Sequence, residues 1–309
     1  MERIAKKYEI YEKNVSSRII GFEKIAKCLL ISLIVKGHVL LEGPPGVAKT
    51  MLAKTFASLV NARFKRIQFT PDLLPTDIIG TMIYDPSTKK FSIRLGPIFT
   101  NILLADEINR ASPKTQAALL EAMEERQVTI EGKTYPLEEP FMVIATQNPV
   151  EQEGTYPLPE AQLDRFLFKI KIGYPTEDNE VKILKIKFRE KAPEIQKIFE
   201  KKEILEINKL LNNIYVSEKI MQFVSDIISS LREEPSIAWG PSPRASISLI
   251  NIAKAIALLK KRDYVVPGDV IEYINWVLNH RVGLSPEYEI EGMTTESIIE
   301  KILEKVDTA

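Results

Sequence analysis

Gly43-Pro44-Pro45-Gly46-Val47-Ala48-Lys49-Thr50 is the stretch on which the fold turns. It is close to the pattern G-x-x-x-x-G-K-[ST], a small-residue loop that joins a strand to a helix. Such a loop lets the backbone wrap a phosphate, and its successive N–H groups, with a helix N-terminus behind them, supply positive potential. Lys49 is then placed for the β and γ phosphates of a nucleotide, and the Thr50 hydroxyl for a magnesium ion. One position departs from the pattern: Ala48 stands where glycine is asked for. Alanine adds only a methyl, which the loop accepts if the residue keeps φ < 0, so a negative φ is expected there. The flanks agree with the motif. His38 to Leu41 reads as a short strand, and Lys49 to Leu59 as a helix.

The pattern continues on both sides. Glu23 to Lys36 reads as an apolar helix with no Pro or Gly. Further strands fit Phe64 to Phe69, Ile102 to Ala105, Phe141 to Thr146 and Phe166 to Ile172, with a helix at Lys114 to Glu125. Apolar strands alternating with helices predict an α/β domain with a mostly parallel sheet. Two segments interrupt it as hairpins, Thr81 to Leu95 around Asp85-Pro86-Ser87 and Gln127 to Leu137 around Glu131-Gly132. Each is either an edge ornament or a loop that contacts a partner or substrate. Beyond Tyr174-Pro175 the pattern becomes helical, at Glu177 to Arg189, Asn208 to Leu231, Ala245 to Lys260 and Pro267 to Asn279. Val266-Pro267-Gly268-Asp269 looks like a helix start. The expected organisation is an α/β P-loop core over 1–175 and an all-helical domain over 176–309.

Composition bounds the function. The 309 residues are 45% hydrophobic and 27% charged, a globular balance. The 42 basic and 42 acidic residues cancel, which gives no support for broad nucleic-acid binding. A single cysteine, Cys28, excludes an internal disulfide, and its apolar run suits a packed thiol. His38 and His280 stand far apart, so no zinc site is suggested. Met1 to Asn14 lacks the apolar core of a signal peptide, and Cys28 to Val35 is too short to span a bilayer. A soluble, cytoplasmic protein without membrane insertion is expected.

The chemistry-bearing residues follow the strands. Ile102-Leu103-Leu104-Ala105 places Asp106 at a strand's C-terminal end, where it can hold magnesium directly or through water. Glu107, next to it, can polarise water for attack on a γ-phosphate. Two adjacent acids point to ATP hydrolysis, because no second substrate site is evident. Asn148 ends the next strand and either orients that water, touches the γ-phosphate, or simply forms a turn before Pro149. Arg165 and Arg244 are either solvated or salt-bridged arginines, or cationic donors from another domain or subunit that neutralise charge on the γ-phosphate.

In this order the motifs resemble an AAA+ ATPase, and specifically the MoxR family. The resemblance covers nearly the whole chain and rests on Leu41 to Thr50, Gly96-Pro97-Ile98-Phe99, Leu104 to Ala111, Glu160 to Phe166 and Ser242-Pro243-Arg244-Ala245. Alanine before the P-loop lysine is usual in that family, so Ala48 supports the resemblance. It implies that Lys49 and Thr50 belong to Walker A, that Asp106 and Glu107 form Walker B, and that Asn148 is sensor 1. It implies further that Arg165 is the arginine finger, Arg244 is sensor 2, and Ile20-Gly21 packs near adenine. Phe22 stands where the family usually has Gln. By the same resemblance, Thr81 to Leu95 is the helix-2 insert, Gln127 to Leu137 is the pre-sensor-1 hairpin, and the last domain is the helical lid.

The family implies ATP and Mg2+ as cofactors and a homo-hexameric ring that remodels, matures or activates client protein complexes. A separate partner with a von Willebrand factor A domain often takes part. Two other readings stand beside this one. A nucleic-acid remodeller on a related core would cluster basic residues in its hairpins, where this chain has Lys89, Lys90, Arg94 and Lys133. A nucleotide-gated binding module would capture its partner with ATP even without Glu107, and the intact Asp106 and Glu107 argue against it.

Overall fold

The computed structural model describes residues 2–87, 89–149, 154–188 and 196–306. The chain divides into two compact units. One holds Glu9–Leu158 with Ile170–Leu205, and the other holds Met1–Tyr8, Pro159–Lys169 and Glu206–Ala309. The packing therefore takes Pro159–Lys169 into the second unit, between two stretches that belong to the first.

The first unit is built on a sheet. Its strands are β1 (Val39–Glu42), β2 (Phe64–Gln68), β5 (Ile102–Asp106), β8 (Met142–Gln147) and β9 (Phe168–Lys171), in the order β2-β5-β8-β1-β9, with only Ile170 and Lys171 of β9 falling in this unit. β2 with β5, β5 with β8 and β8 with β1 all pair in parallel. The three central strands are apolar runs because both faces are covered, and Leu40, Leu104 and Ile144 are wholly buried. β2 lies at the edge and alternates, with Ile67 buried and its polar neighbours Arg66 and Gln68 exposed. Parallel pairing brings the C-terminal ends of β1, β5 and β8 to one side of the sheet. Ligands bind at that side in open α/β sheets.

Both inserted hairpins are present. β3 (Gly80–Asp85) pairs antiparallel with β4 (Lys90–Leu95), and β6 (Gln127–Ile130) with β7 (Lys133–Pro136). Exposed Tyr84 and Phe91 face each other across the first hairpin, with ring centroids 5.1 Å apart. The helices of this unit include α1 (Glu2–Arg18), which begins in the second unit, α2 (Glu23–Ile34), α3 (Lys49–Leu59), α4 (Pro75–Ile79) and α5 (Pro113–Glu125). Cys28 is buried in α2. The helix expected over Glu177 to Arg189 runs over Glu177–Lys187, and Arg189 lies outside the described residues.

His38 locks the start of β1 in place. Its Nδ1 accepts the Val143 N–H at 2.9 Å, so the proton sits on Nε2, which donates to the Met123 carbonyl at 3.1 Å. Burial, with the Arg126 charge adding to it, lowers its pKa from 6.5 to about 3. The ring therefore stays neutral in the fold while the unfolded chain takes up a proton below pH 6.5. Its contribution is intact above that pH and declines as pH falls toward 3. Between about pH 7 and about pH 5, this histidine alone should remove about 2 kcal/mol of stability. Urea unfolding of wild type and His38→Gln at both pH values checks this. Equal losses in the two proteins would rule it out.

The second unit is helical. It contains α6 (Glu160–Leu163), the end of α8 (Lys201–Leu210), α9 (Glu218–Glu233), α10 (Pro243–Leu259), α11 (Pro267–Ile271), α12 (Ile274–Leu278), α13 (Pro286–Ile290) and α14 (Thr295–Lys305). A two-stranded ribbon, Ile237–Trp239 against Gly283–Leu284, joins them. Ser217, Ser242 and Thr294 cap α9, α10 and α14, each accepting a backbone N–H. The continuous segments expected at Asn208 to Leu231 and Pro267 to Asn279 are each broken. The first is interrupted at Ile214 to Ser217, where Ser217 starts a new helix by capping it. The second splits at Tyr273, between α11 and α12. Among the described residues, no helix is long and apolar enough to cross a membrane.

Candidate active site

The loop between β1 and α3 carries the expected phosphate-binding residues, and its small residues have different causes. A Cβ on Gly43 would lie 2.3 Å from the Ile172 carbonyl oxygen, so this glycine lets the end of β1 meet the chain leaving β9. Gly46 has φ +83° and nothing within 4 Å of an added Cβ, so its backbone conformation is what demands glycine.

Ala48 has φ 60° and ψ 21°, which overturns the expectation of a negative φ. A left-handed residue among right-handed ones makes the concave row of N–H groups that binds anions, and that geometry outweighs the alanine's preference. The strain costs about 1–2 kcal/mol. Ala48→Gly should relieve it but add unfolded-state entropy of about 0.4–1 kcal/mol, so net stability should rise by no more than about 1.6 kcal/mol. Ala48→Val should lose more than Ala48→Gly shifts, because a branched Cβ tolerates φ > 0 poorly. Thermal melts of both variants decide it, and a neutral valine would contradict the strain.

Lys49 opens α3 and is buried, with its Nζ donating to the Gly43 carbonyl at 2.7 Å. Burial lowers its pKa, while Asp106, Glu107 and Glu42 pull it back. An ammonium has three donors, and the carbonyl takes one, which leaves capacity for phosphate oxygens. Thr50 follows in the same first turn, half-buried.

Asp106 ends β5 and Glu107 follows it, held together by one hydroxyl. Thr146 Oγ1 donates to Asp106 Oδ1 at 2.5 Å and accepts the Glu107 N–H at 2.9 Å. The other Asp106 oxygen accepts from Arg66 Nε at 3.0 Å and Nη2 at 2.7 Å. Glu107 has φ 58° and ψ 51°, a left-handed conformation uncommon for a residue with a side chain. Its Oε2 accepts from Gln68 Nε2 at 2.8 Å and pairs with Arg110 Nε at 3.0 Å. Asn148 lies just past β8, buried, at the same sheet edge. Lys49, Thr50, Asp106, Glu107 and Asn148 are thus all carried by the C-terminal ends of β1, β5 and β8.

This donor set suits magnesium. The ion keeps several waters and takes one or two protein oxygens plus substrate phosphates. Arg66 fills both lone pairs of Asp106 Oδ2, so Oδ1, which takes one hydrogen bond from Thr146, and the Thr50 hydroxyl are the oxygens that would hold it. Among the described residues, no cluster of three or more His, Cys, Asp or Glu forms a cage for a metal.

Arg165 and Arg244 both belong to the helical unit. Arg165 follows α6 in a turn, and Arg244 lies in the first turn of α10. Asp164 stands between them. Its Oδ1 accepts from Arg281 Nε at 2.7 Å, and its Oδ2 accepts from the Ser242 hydroxyl at 3.0 Å and lies 3.9 Å from Arg244 Nη1. Ile20 and Gly21 link α1 to α2, with Gly21 at φ +82°. A Cβ on Gly21 would lie 2.9 Å from Asn179 Nδ2, which sets an amide beside the segment expected near adenine. Sequence reading missed Asn179, Arg66, Gln68, Thr146 and Arg281. The period-two pattern Arg66-Ile67-Gln68 was a usable signal, since it puts both polar side chains on one face beside Asp106 and Glu107.

The parallel sheet, the loop and the paired acids define a P-loop ATPase of the AAA type. Residues 38–168 match the ATPase family associated with various cellular activities (AAA), and residues 229–302 match the AAA lid domain. The chain is 47% identical to the uncharacterised protein YeaC of Bacillus subtilis, over 95% of this chain and 92% of that protein. It is 46% identical to chaperone MoxR1 of Mycobacterium tuberculosis, over 93% of this chain and 78% of that one. With the protein MoxR of Paracoccus denitrificans it shares 31% identity, over 90% and 89% of the two chains. A crystal structure of a candidate ATPase from Cytophaga hutchinsonii superposes with a TM-score of 0.92 at 44% identity, covering 98% of this chain and 95% of that one. The chain belongs to the MoxR family of AAA+ ATPases.

Proposed function

We propose that this protein hydrolyses ATP with magnesium and uses the cycle to remodel, mature or activate partner protein complexes. The observation that carries the reading is the tie between Asp106 and Glu107 through Thr146, at the sheet edge where Lys49 also stands. The relative named chaperone MoxR1 supports the client half of the proposal.

In this reading the loop Gly43 to Thr50 holds the phosphates through backbone N–H groups, and Lys49 contacts the β and γ phosphates. Magnesium, held by Thr50 and Asp106, would neutralise charge on the phosphate oxygens. Glu107 orients and deprotonates the attacking water, and Asn148 aligns it or touches the γ-phosphate. Glu107 must leave Gln68 and Arg110, or share its oxygens with them, to reach water. Arg244 answers to the γ-phosphate as sensor 2, and Ile20 and Gly21 pack on the adenine. Arg165 serves the site of a neighbouring subunit in a homo-hexamer. The division of labour is a catalytic part carried mainly by 1–175 and a lid carried mainly by 176–309, although Pro159–Lys169 packs in the helical unit and 176–205 in the sheet unit. A separate protein with a von Willebrand factor A domain acts as adaptor, in the cytoplasm.

The test measures phosphate release by the purified chain with Mg2+ and with EDTA, beside Lys49→Ala. Release is expected only with metal and intact Lys49, and release that survives Lys49→Ala would sink the assignment. A pull-down with Glu107→Gln held in ATP then tests the client. Recovery of nucleic acid in place of protein would replace remodelling of proteins with remodelling of nucleic acid.

A further inference from the structure

Arg281 is almost completely buried, yet it carries a charge and all but one of its hydrogen bonds go to one short stretch of chain. Its Nε donates to Asp164 Oδ1 at 2.7 Å, and its Nη2 donates to the carbonyls of Asp164 at 3.1 Å and Phe166 at 2.8 Å. Its Nη1 donates to the carbonyls of Leu167 at 3.3 Å and Val277 at 2.6 Å. The two residues before it act on the same stretch. His280 Nε2 lies 2.9 Å from the Phe166 carbonyl, and Asn279 Nδ2 donates to the Lys169 carbonyl at 3.1 Å. Three consecutive side chains past α12 therefore grip the backbone from Asp164 to Lys169, and Arg165 sits inside that grip.

The same carboxylate reaches α10. Asp164 Oδ2 takes the hydroxyl of Ser242, which caps α10 by accepting the Arg244 N–H at 3.2 Å. Taking a guanidinium out of water is costly, and a hydrophobic residue could fill the same space. What the fork adds is fixed geometry at several oxygens at once. Both arginines thus stand on one support, built wholly from the helical unit.

We propose that Arg281 and Asp164 are positioning residues that couple Arg165 to Arg244, so that the arginine a subunit offers its neighbour follows the state of that subunit's own helical unit. This rests on the reading of Arg165 as a group acting in a neighbouring subunit. The response of one subunit's Arg244 to its own nucleotide is then relayed, through Ser242 and Asp164, to the Arg165 it presents.

A mixing experiment separates this from a merely structural role. Glu107→Gln subunits hydrolyse at least about a hundredfold more slowly but still donate Arg165, and Arg165→Ala subunits have a working site but no arginine to give. Mixed under conditions of subunit exchange, the two should restore hydrolysis. Placing Arg281→Lys on the Glu107→Gln chain should cut that rescue at least about tenfold, since small misplacements of such groups cost up to about a hundredfold. The donor's own site contributes at most about a hundredth of normal hydrolysis, so the rescue reads out its presented arginine. Melting curves and assembly size confirm that the donor is folded and incorporated. If the lysine variant does not fold, Ser242→Ala on the same donor decides, with a several-fold loss expected. Undiminished rescue overturns the coupling alone. Absence of rescue between the two parent variants overturns the neighbouring-subunit reading, and the coupling with it.

Discussion

Arg165→Ala should reduce kcat for ATP by about a thousandfold or more, with nucleotide affinity nearly unchanged. A cationic finger supplied from outside a site is worth about 10³–10⁵ in kcat for phosphoryl transfer, because charge spreads over the γ-phosphate oxygens only as the bond breaks. Ground-state binding is carried by other groups, namely the loop and Lys49. Single-turnover hydrolysis and titration with a fluorescent ATP analogue separate the two effects. The segment should survive the change, since Asp164 and the carbonyls of Phe166 and Leu167 keep their Arg281 bonds. A variant that loses affinity and retains kcat would show that Arg165 holds ground-state nucleotide and is no finger.

Glu107→Gln should lower kcat by about 10²–10⁴, the usual worth of a general base, while ATP stays bound. The substitution is close to isosteric. Glutamine keeps an oxygen that can accept from Gln68 and Arg110, and the backbone N–H to Thr146 does not depend on the side chain. The left-handed backbone at this residue is already paid for by the surrounding structure, so thermal stability should change by less than about 0.5 kcal/mol. Hydrolysis within tenfold of wild type would mean that another group activates the water, and Asp106 would be the first to examine.

Much of this fold was legible in the sequence because its central strands are buried on both faces. Continuous apolar runs such as Ile102 to Ala105 can only be core strands or helix fragments, and the flanking turns decide between them. The helix Lys49–Leu59 came out at its observed bounds, since the loop before it fixes its start. The helical unit was harder. Ser217 and Tyr273 interrupt helices whose apolar periodicity runs on across the break, so pattern alone merges them.

For the candidate site, the loop and the paired acids were read directly, because each motif is contiguous in the chain. Their partners were not. Thr146 comes from another strand, Arg66 and Gln68 from an edge strand that looks like ordinary solvent-facing surface, and Arg281 from a helix end more than a hundred residues away from Asp164. Ala48 shows the reverse failure. Its identity was read correctly, but the sign of its φ is set by the loop's curvature, which composition does not carry.

The hydroxyl of Thr146 has one further meaning. Side chains on adjacent positions of a strand point to opposite faces, so a one-residue slip of β8 against β5 would turn this hydroxyl away from both acids. Asp106 would lose a donor, and the Glu107 N–H would be left without its acceptor. The site therefore works as a checksum on the assembly of the sheet. The atom that holds the two acids in place also reports that the strands beneath them were laid down in the right register.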